Sequence, residues 1–260
     1  MANILRILVT NDDGIHAPGL FAVKEALERE GHFVEVCAPD RPRSASGHSI
    51  TLHKPLRMKH VALRDGKMGW AASGTPADCA TLGILEVMGG NVDLVVSGIN
   101  HGPNLGWDVT YSGTVSAAME AVITGVPAIA CSVASYEENI HWAAAANFVA
   151  QTLAPMVALH GLPPSTLLNV NAPSLPEGEI KGVRLAVQGD RQYVDRLDKR
   201  IDPTGRPYFW LGGKIHDAET APDSDTRAIG EGYISVTPIH MDMTAHSFFQ
   251  HLDSWGITRG

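Results

Sequence analysis

Long apolar runs are missing from this 260-residue chain. None approaches the ~18 apolar residues that a membrane span needs. The amino-terminal MANILRILVTNDDG has neither the long apolar segment nor the small-residue cleavage site of a secretion signal. Cysteine is scarce and odd in number. Cys37, Cys79 and Cys131 are scattered and form no C-x-x-C, which argues against a disulfide framework and a thiolate metal cage. Each sits in small or apolar company (VEVC, ADCA, AIACS), the setting of a buried, inert thiol in a reducing compartment. The expected location is therefore the cytoplasm. Positive charge is in deficit: 20 Lys and Arg stand against 28 Asp and Glu, for a net charge of −8. That balance argues against a general nucleic-acid or anionic-membrane binder, which needs a cationic face. An anionic substrate stays open where a metal or backbone amides supply local positive charge.

Several motifs are absent as well. Neither G-x-G-x-x-G nor G-x-x-x-x-G-K-[ST] occurs, so standard dinucleotide and P-loop readings lose their support. Without G-x-S-x-G, a serine-hydrolase triad lacks its anchor. The 12 histidines contain no H-E-x-x-H. His16, His48 and His101 lie in candidate site loops, where a lone histidine is more often solvated or hydrogen-bonded than catalytic.

What is present suffices for a core. The chain is 44% hydrophobic, with 26 glycines and 16 prolines, which excludes disordered, collagenous and low-complexity classes. Short apolar runs alternate with helical patterns. Ile4–Thr10 has buried-strand length, and Pro18 suits a first helical turn. Leu20, Val23 and Leu27 recur at helical spacing before a stop at Gly31, and Phe33–Cys37 is a second strand. This βαβ unit implies parallel pairing. Further on, the pattern predicts helices over Pro76–Met88 (capped by Thr75), Thr114–Thr124 and Ile140–Leu159, the last bent or ended by Pro155. Strands are predicted over Val92–Ser97, Ala128–Ser132 and Leu167–Val170, with two or three β segments inserted between Ser49 and Trp70. Residues 1–173 therefore read as an open, doubly wound α/β core. Beyond Pro173 turn signals multiply and strands such as Val183–Val187 and Tyr208–Leu211 are short. Residues 174–260 read as extensions and hairpins, not a second independent domain. The Asp202–Asp225 stretch has little apparent core and needs partners, so a dimer or larger assembly is expected. Asp242 and His246 lie four apart and are expected to form a structural pair.

In open α/β sheets ligands bind beyond the carboxyl ends of strands. Three polar loops sit there: Asn11–Gly14, Asp40–Ser49 and Ser97–Gly106. Asp12 and Asp13 could be acids at a helix start. They could also share one ion through a tight turn at Gly14, more so if oxygens of Ser44 and Asn100 converge on them. Two carboxylates with neutral oxygens suit Mg²⁺ or Mn²⁺. The third loop runs through Ser112, Gly113 and Thr114 into a helix whose N–H groups could receive a phosphate. It could equally be a glycine-rich connection. Arg41 and Arg43 either steer an anion or are solvated.

At these loops the chain resembles the SurE (survival protein E) family of metal-dependent 5′/3′-nucleotidases. The stretches that carry the likeness are ILVTNDDGIHAPGL, APDRPRSASGHSITL, SGTPADCATLG, VDLVVSGINHGPNLGWDVTYSGTVSAAMEA, LLNVNAP and EGYISVTPIHMDMTAHS, and they span essentially the whole chain in order. The resemblance implies a Rossmann-like core whose carboxy-terminal hairpin and helix extensions exchange within a dimer or tetramer. It implies that Asp12, Asp13, Ser44 and Asn100 ligate one divalent cation per subunit. Asp12, Asp13 and Asn100 would take part in catalysis, while Asn11, Ser112, Gly113 and Thr114 bind the phosphate. His101 and Trp107 stand where small or polar residues are more usual, which bears on pocket shape.

The reaction so implied is hydrolysis of nucleoside 5′- and 3′-monophosphates to nucleoside and phosphate, with polyphosphate a further candidate substrate. A water activated at the metal is the favoured nucleophile, and attack by one of the aspartates is the alternative. Two rivals are a nucleotide-sugar transferase, which needs a second nucleotide-binding half, and a catalytically silent nucleotide sensor.

Overall fold

The computed structural model describes residues 4–194, 197–212, 214–217 and 221–257. The chain runs β1 (Arg6–Thr10), α1 (Pro18–Arg29), β2 (Phe33–Pro39), β3 (Met58–Ala62), β4 (Met68–Ala72), α2 (Pro76–Leu82), β5 (Leu94–His101), α3 (Gly113–Ile123), β6 (Ala128–Ala134), α4 (Ala143–Asn147), α5 (Ala154–His160) and β7 (Thr166–Pro173). It continues through β8 (Val183–Leu185), β9 (Arg191–Val194), β10 (Leu197–Ile201), β11 (Pro207–Leu211), β12 (Lys214–Asp217), α6 (Asp225–Gly230), β13 (Ile234–His240) and α7 (Phe249–Ser254).

Nine strands form one sheet in the order β3-β4-β2-β1-β5-β6-β7-β13-β8. The run from β4 to β7 is parallel, with Ile7 opposite both Val34 of β2 and Leu94 of β5. Side chains alternate across it. Ile7 and Val9 pack with Leu20, Val23 and Leu27 of α1, while Leu8 packs on the other face with Cys79, Val115 and Ala118 of α2 and α3. Both faces are covered, as a parallel sheet requires. Each such fully buried aliphatic side chain contributes about 1.5–3 kcal/mol. The result is the mixed α/β architecture with a mostly parallel central sheet that the periodicity predicts.

The strand order reverses between β1 and β5, so their carboxyl ends open the crevice where doubly wound sheets bind ligands. There β5 is longer than its apolar run suggests. It continues to His101, with its register against β6 slipping between Ser97 and Asn100. Irregularities of this kind re-aim side chains at a sheet's rim, and here the strand itself delivers Asn100 to the crevice.

Other boundaries move for local reasons. Thr75 caps α2 through a reciprocal box with Asp78, but after Leu82 the helix widens into a π turn over Gly83–Val87. The Ala-rich helix is likewise broken by a π segment, Phe148–Leu153, just before Pro155. Proline has no N–H to donate and its ring crowds the preceding turn, which the wider π geometry accommodates. Between Ser49 and Trp70 the sheet gains one edge hairpin, β3–β4, whose Lys24 anchor is buried at 2.6–2.7 Å from Asp65 and Glu28.

Beyond Pro173, β13 pairs antiparallel with β7 and parallel with β8, closing the sheet. The strands β9/β12 and β10/β11 form two small antiparallel ladders. Among the described residues this part contains no second parallel sheet, so the transferase reading lacks its second nucleotide-binding half. Tyr208, Phe209, Trp210 and Leu211 are exposed along β11. His246 Nε2 lies 2.7 Å from Asp242 Oδ2, joining the loop after β13 to the 3-10 turn His246–Phe248 that leads into α7.

Candidate functional site

Asp12 lies two residues past the end of β1 and is buried. Its Oδ1 accepts a hydrogen bond from the Thr114 hydroxyl at the start of α3. Gly113 is what brings strand end and helix end so close: a methyl there would lie 2.7 Å from Asp12 Cβ and 2.8 Å from Oδ2. Burial raises the Asp12 carboxyl to about 6, aided by repulsion from Asp13 and opposed by Thr114. Asp13 is also raised by burial, while the His101 N–H, donating to its Oδ2 at 2.9 Å, pulls it down. Two desolvated carboxylates on consecutive residues are the electrostatic condition that a cation relieves.

The neighbouring loops are pinned to this point. Arg43 N–H donates to the Asp12 carbonyl at 2.7 Å, which holds Ser44 beside it. Asn100 Nδ2 donates to the Gly102 carbonyl at 2.7 Å, leaving the amide oxygen to face a ligand. Asp12, Ser44, Asn100 and Ser112 line one cleft of about 280 Å³, with His101, Asn104, Asp108, Tyr111 and Tyr136 also in its wall. No lysine or arginine lines it. Gly14 takes φ +97° in the turn that follows, a conformation open to glycine.

Asn11 is buried behind the cleft, and both ends of its amide serve the Gly14 backbone at 3.0 and 3.2 Å. It fixes the turn that carries the two aspartates. Ser112 caps α3, its Oγ accepting from Val115 N–H at 3.0 Å. The Gly113 and Thr114 amides belong to that first turn, where the helix dipole is positive. Arg43 is turned away, with its guanidinium on the Ser73 carbonyl. His16 is exposed, and His48 pairs with Glu120 of α3 at 2.8 Å. Trp107 is exposed and donates to Asp190 at 2.8 Å.

A family model described as Survival protein SurE matches residues 7–195. The chain belongs to the SurE family. Its relatives include the 5′-nucleotidase SurE of Gloeobacter violaceus, 50% identical over 92% of this chain and 91% of that one. The 5′-nucleotidase SurE of Desulfatibacillum aliphaticivorans is 48% identical over 98% and 100%. The crystal structure of the SurE protein from Aquifex aeolicus superposes with a TM-score of 0.84 at 41% identity, covering 96% of this chain and 99% of that one.

The SurE cleft has a polar foundation that motif reading passed over. Asn104 N–H donates to Asn171 Oδ1 at 2.8 Å, and its Nδ2 donates to Ser132 Oγ at 2.7 Å. Asn169 and Asn171 return bonds to the Asn104 carbonyl. From α6, the buried Asp225 accepts from Gly106 N–H at 2.9 Å and from Gly189 N–H at 3.0 Å. The visible signal was N-x-N inside the apolar strand LLNVNAP, since residues two apart on a strand share a face.

Proposed function

We propose that the protein is a divalent-metal-dependent 5′-nucleotidase that hydrolyses nucleoside 5′-monophosphates to nucleoside and phosphate, with 3′-monophosphates and polyphosphate as further substrates. The observation that carries the reading is the charge balance of the cleft. It offers a helix N-terminus and a set of oxygens suited to a phosphoryl group, yet its wall holds the buried Asp12, flanked in sequence by Asp13, and no lysine or arginine, while its other carboxylate, Asp108, lies 3.7 Å from Arg191. A phosphomonoester dianion would meet uncompensated repulsion there unless a cation stands between.

The residues present fit that cation. Asp12, Asp13, Ser44 and Asn100 are all oxygen donors, the set preferred by Mg²⁺ or Mn²⁺, and among the described residues no cluster of three His, Cys, Asp or Glu competes. When bound, the ion neutralises phosphoryl charge and lowers the pKa of water. Thr114 orients Asp12, and the His101 N–H orients Asp13. The Gly113 and Thr114 amides face the phosphoryl oxygens with a fixed dipole that needs no reorganisation as charge builds up. Ser112 caps the turn that presents them, and Asn11 holds the loop in register.

We also assign residues 1–173 as the catalytic core and 174–260 as an extension for homodimer or tetramer assembly with exchange of its hairpin or helix. The exposed side chains Tyr208, Phe209, Trp210 and Leu211 of β11, whose ladder has only β10 beside it, support this. A cytoplasmic location agrees with three buried free thiols, of which Cys131 is pushed up to about 12 by burial. No helix among the described residues is long and apolar enough to cross a membrane. Phosphate release measured over nucleoside monophosphates and metals tests the reading. Release that requires a divalent ion is expected, whereas nucleotide binding without release would make the protein a sensor.

A further inference from the structure

The polar end of the cleft accounts for a phosphoryl group but not for a nucleoside. Its wall contains two tyrosine rings, Tyr111 and Tyr136, which are 58% and 64% exposed. Tyr111 immediately precedes the α3 cap. Tyr136 follows β6 and stands against Gly102, just past the end of β5 that carries Asn100. A methyl built on Gly102 would lie 3.0 Å from Tyr136 Cε1 and 3.8 Å from Asn100 Nδ2, so ring and amide flank one glycine. Gly102 is at φ +114°, and its lack of a side chain lets the ring settle there.

A base could be read by its edge or by its face. Edge reading needs side-chain amides free to turn toward the base, and those of the cleft are each anchored on the protein: Asn100 on the Gly102 carbonyl and Asn104 on Ser132. Face reading needs an exposed ring at the mouth, within a ribose's reach of the phosphoryl site. Tyr136 is an exposed ring of this kind: it shares the cleft wall with Asp12 and Ser44 and meets Asn100 across Gly102.

We propose that Tyr136 is the nucleobase platform, a specificity residue on which the base stacks while its phosphate lies against Asp12, Asn100 and the α3 amides. The proposal rests on the nucleotidase reading. A ring at the mouth also explains how a site made for a bare phosphomonoester could prefer one that carries a base.

The test compares a nucleoside 5′-monophosphate with ribose 5-phosphate, which offers the same ester on the same sugar without a base. Both are assayed with the Mn²⁺-loaded full chain. Base–aromatic stacking is lost on substitution by alanine, so Tyr136→Ala should lower the wild-type preference for the nucleotide about tenfold. The change should come through KM, with kcat little moved. Tyr136→Phe should retain the preference to within about twofold, because the ring face is unchanged. Tyr136→Leu, which keeps bulk without the π face, should behave like alanine. An unchanged preference in the alanine and leucine variants overturns the proposal alone, as does an equal loss on both substrates. Release of phosphate from neither substrate by the wild-type protein overturns the nucleotidase reading and the platform with it.

Discussion

Asp12→Asn should make the metal-free protein more stable and much less active. The side chain is 4% exposed, and burial lifts its carboxyl from 3.8 to about 6. The folded state therefore keeps its proton up to about pH 6, while the unfolded chain gives it up near 3.8. Between those values the folded state binds more protons, so metal-free stability falls as pH rises through that window. Above it the ionised Asp12 costs about 3 kcal/mol, at 1.36 kcal/mol per pH unit. Asparagine keeps the shape and can still accept from the Thr114 hydroxyl, but it carries no charge to desolvate. Thermal unfolding in chelator at pH 8 should thus show the variant melting roughly 6–10 °C above wild type. The gap should close near pH 4, where wild-type Asp12 is protonated as well. Added Mn²⁺ should raise the wild-type melting point more than the variant's, because stabilisation follows binding. Turnover should fall ~10²–10³-fold, comparable to the loss of one transition-state charge contact. A variant that melts no higher at pH 8, or gains as much from Mn²⁺ as wild type, would refute the idea that Asp12 is a desolvated cation ligand.

Asp225→Ala strips the acceptor from the Gly106 and Gly189 amides. With each buried donor costing about 1–3 kcal/mol, unfolding assays should show a loss of about 3 kcal/mol or more, and phosphate-release assays a lower turnover. Lys24→Met removes the cation that Asp65 and Glu28 share, although Glu28 keeps Lys67 at 3.0 Å, and should destabilise the protein by about 1–2 kcal/mol in denaturant melts while sparing kcat. Light scattering at micromolar concentration should find a dimer or tetramer, and a monomer would contradict the assembly assigned to residues 174–260.

The architecture was legible where side chains obey a single period. Ile7–Val9 and Leu94–Val96 announce buried parallel strands, and Pro18, Gly31 and Thr75 mark helix ends. Helix interiors that widen into π turns before Met88 and Pro155 carry no distinct pattern, because their composition is ordinary helix. The candidate site was legible as loops at strand ends, and the NDDG turn, Ser44 and Asn100 were named from the chain alone. What was not legible is long-range pairing. Asn104 meets Asn171 across 67 residues, Asp225 meets Gly106 across 119, and Gly113 is needed because Asp12 stands 2.7 Å from where its side chain would begin. No local rule couples such distant positions. Asn11 is a similar case: the family resemblance implies a phosphate contact, and the bonds of its buried amide to the Gly14 backbone follow from no local pattern.

The most direct test of the account is a titration of Mn²⁺ into metal-stripped protein, wild type beside Asp13→Asn, with phosphate release from a nucleoside 5′-monophosphate followed at each addition. The stripped wild type should release no phosphate, and recovery should saturate at one ion per subunit. The variant should need far more metal and stay ~10²–10³-fold slower. Full turnover by the stripped protein, or an Asp13→Asn curve that overlays wild type, would contradict it.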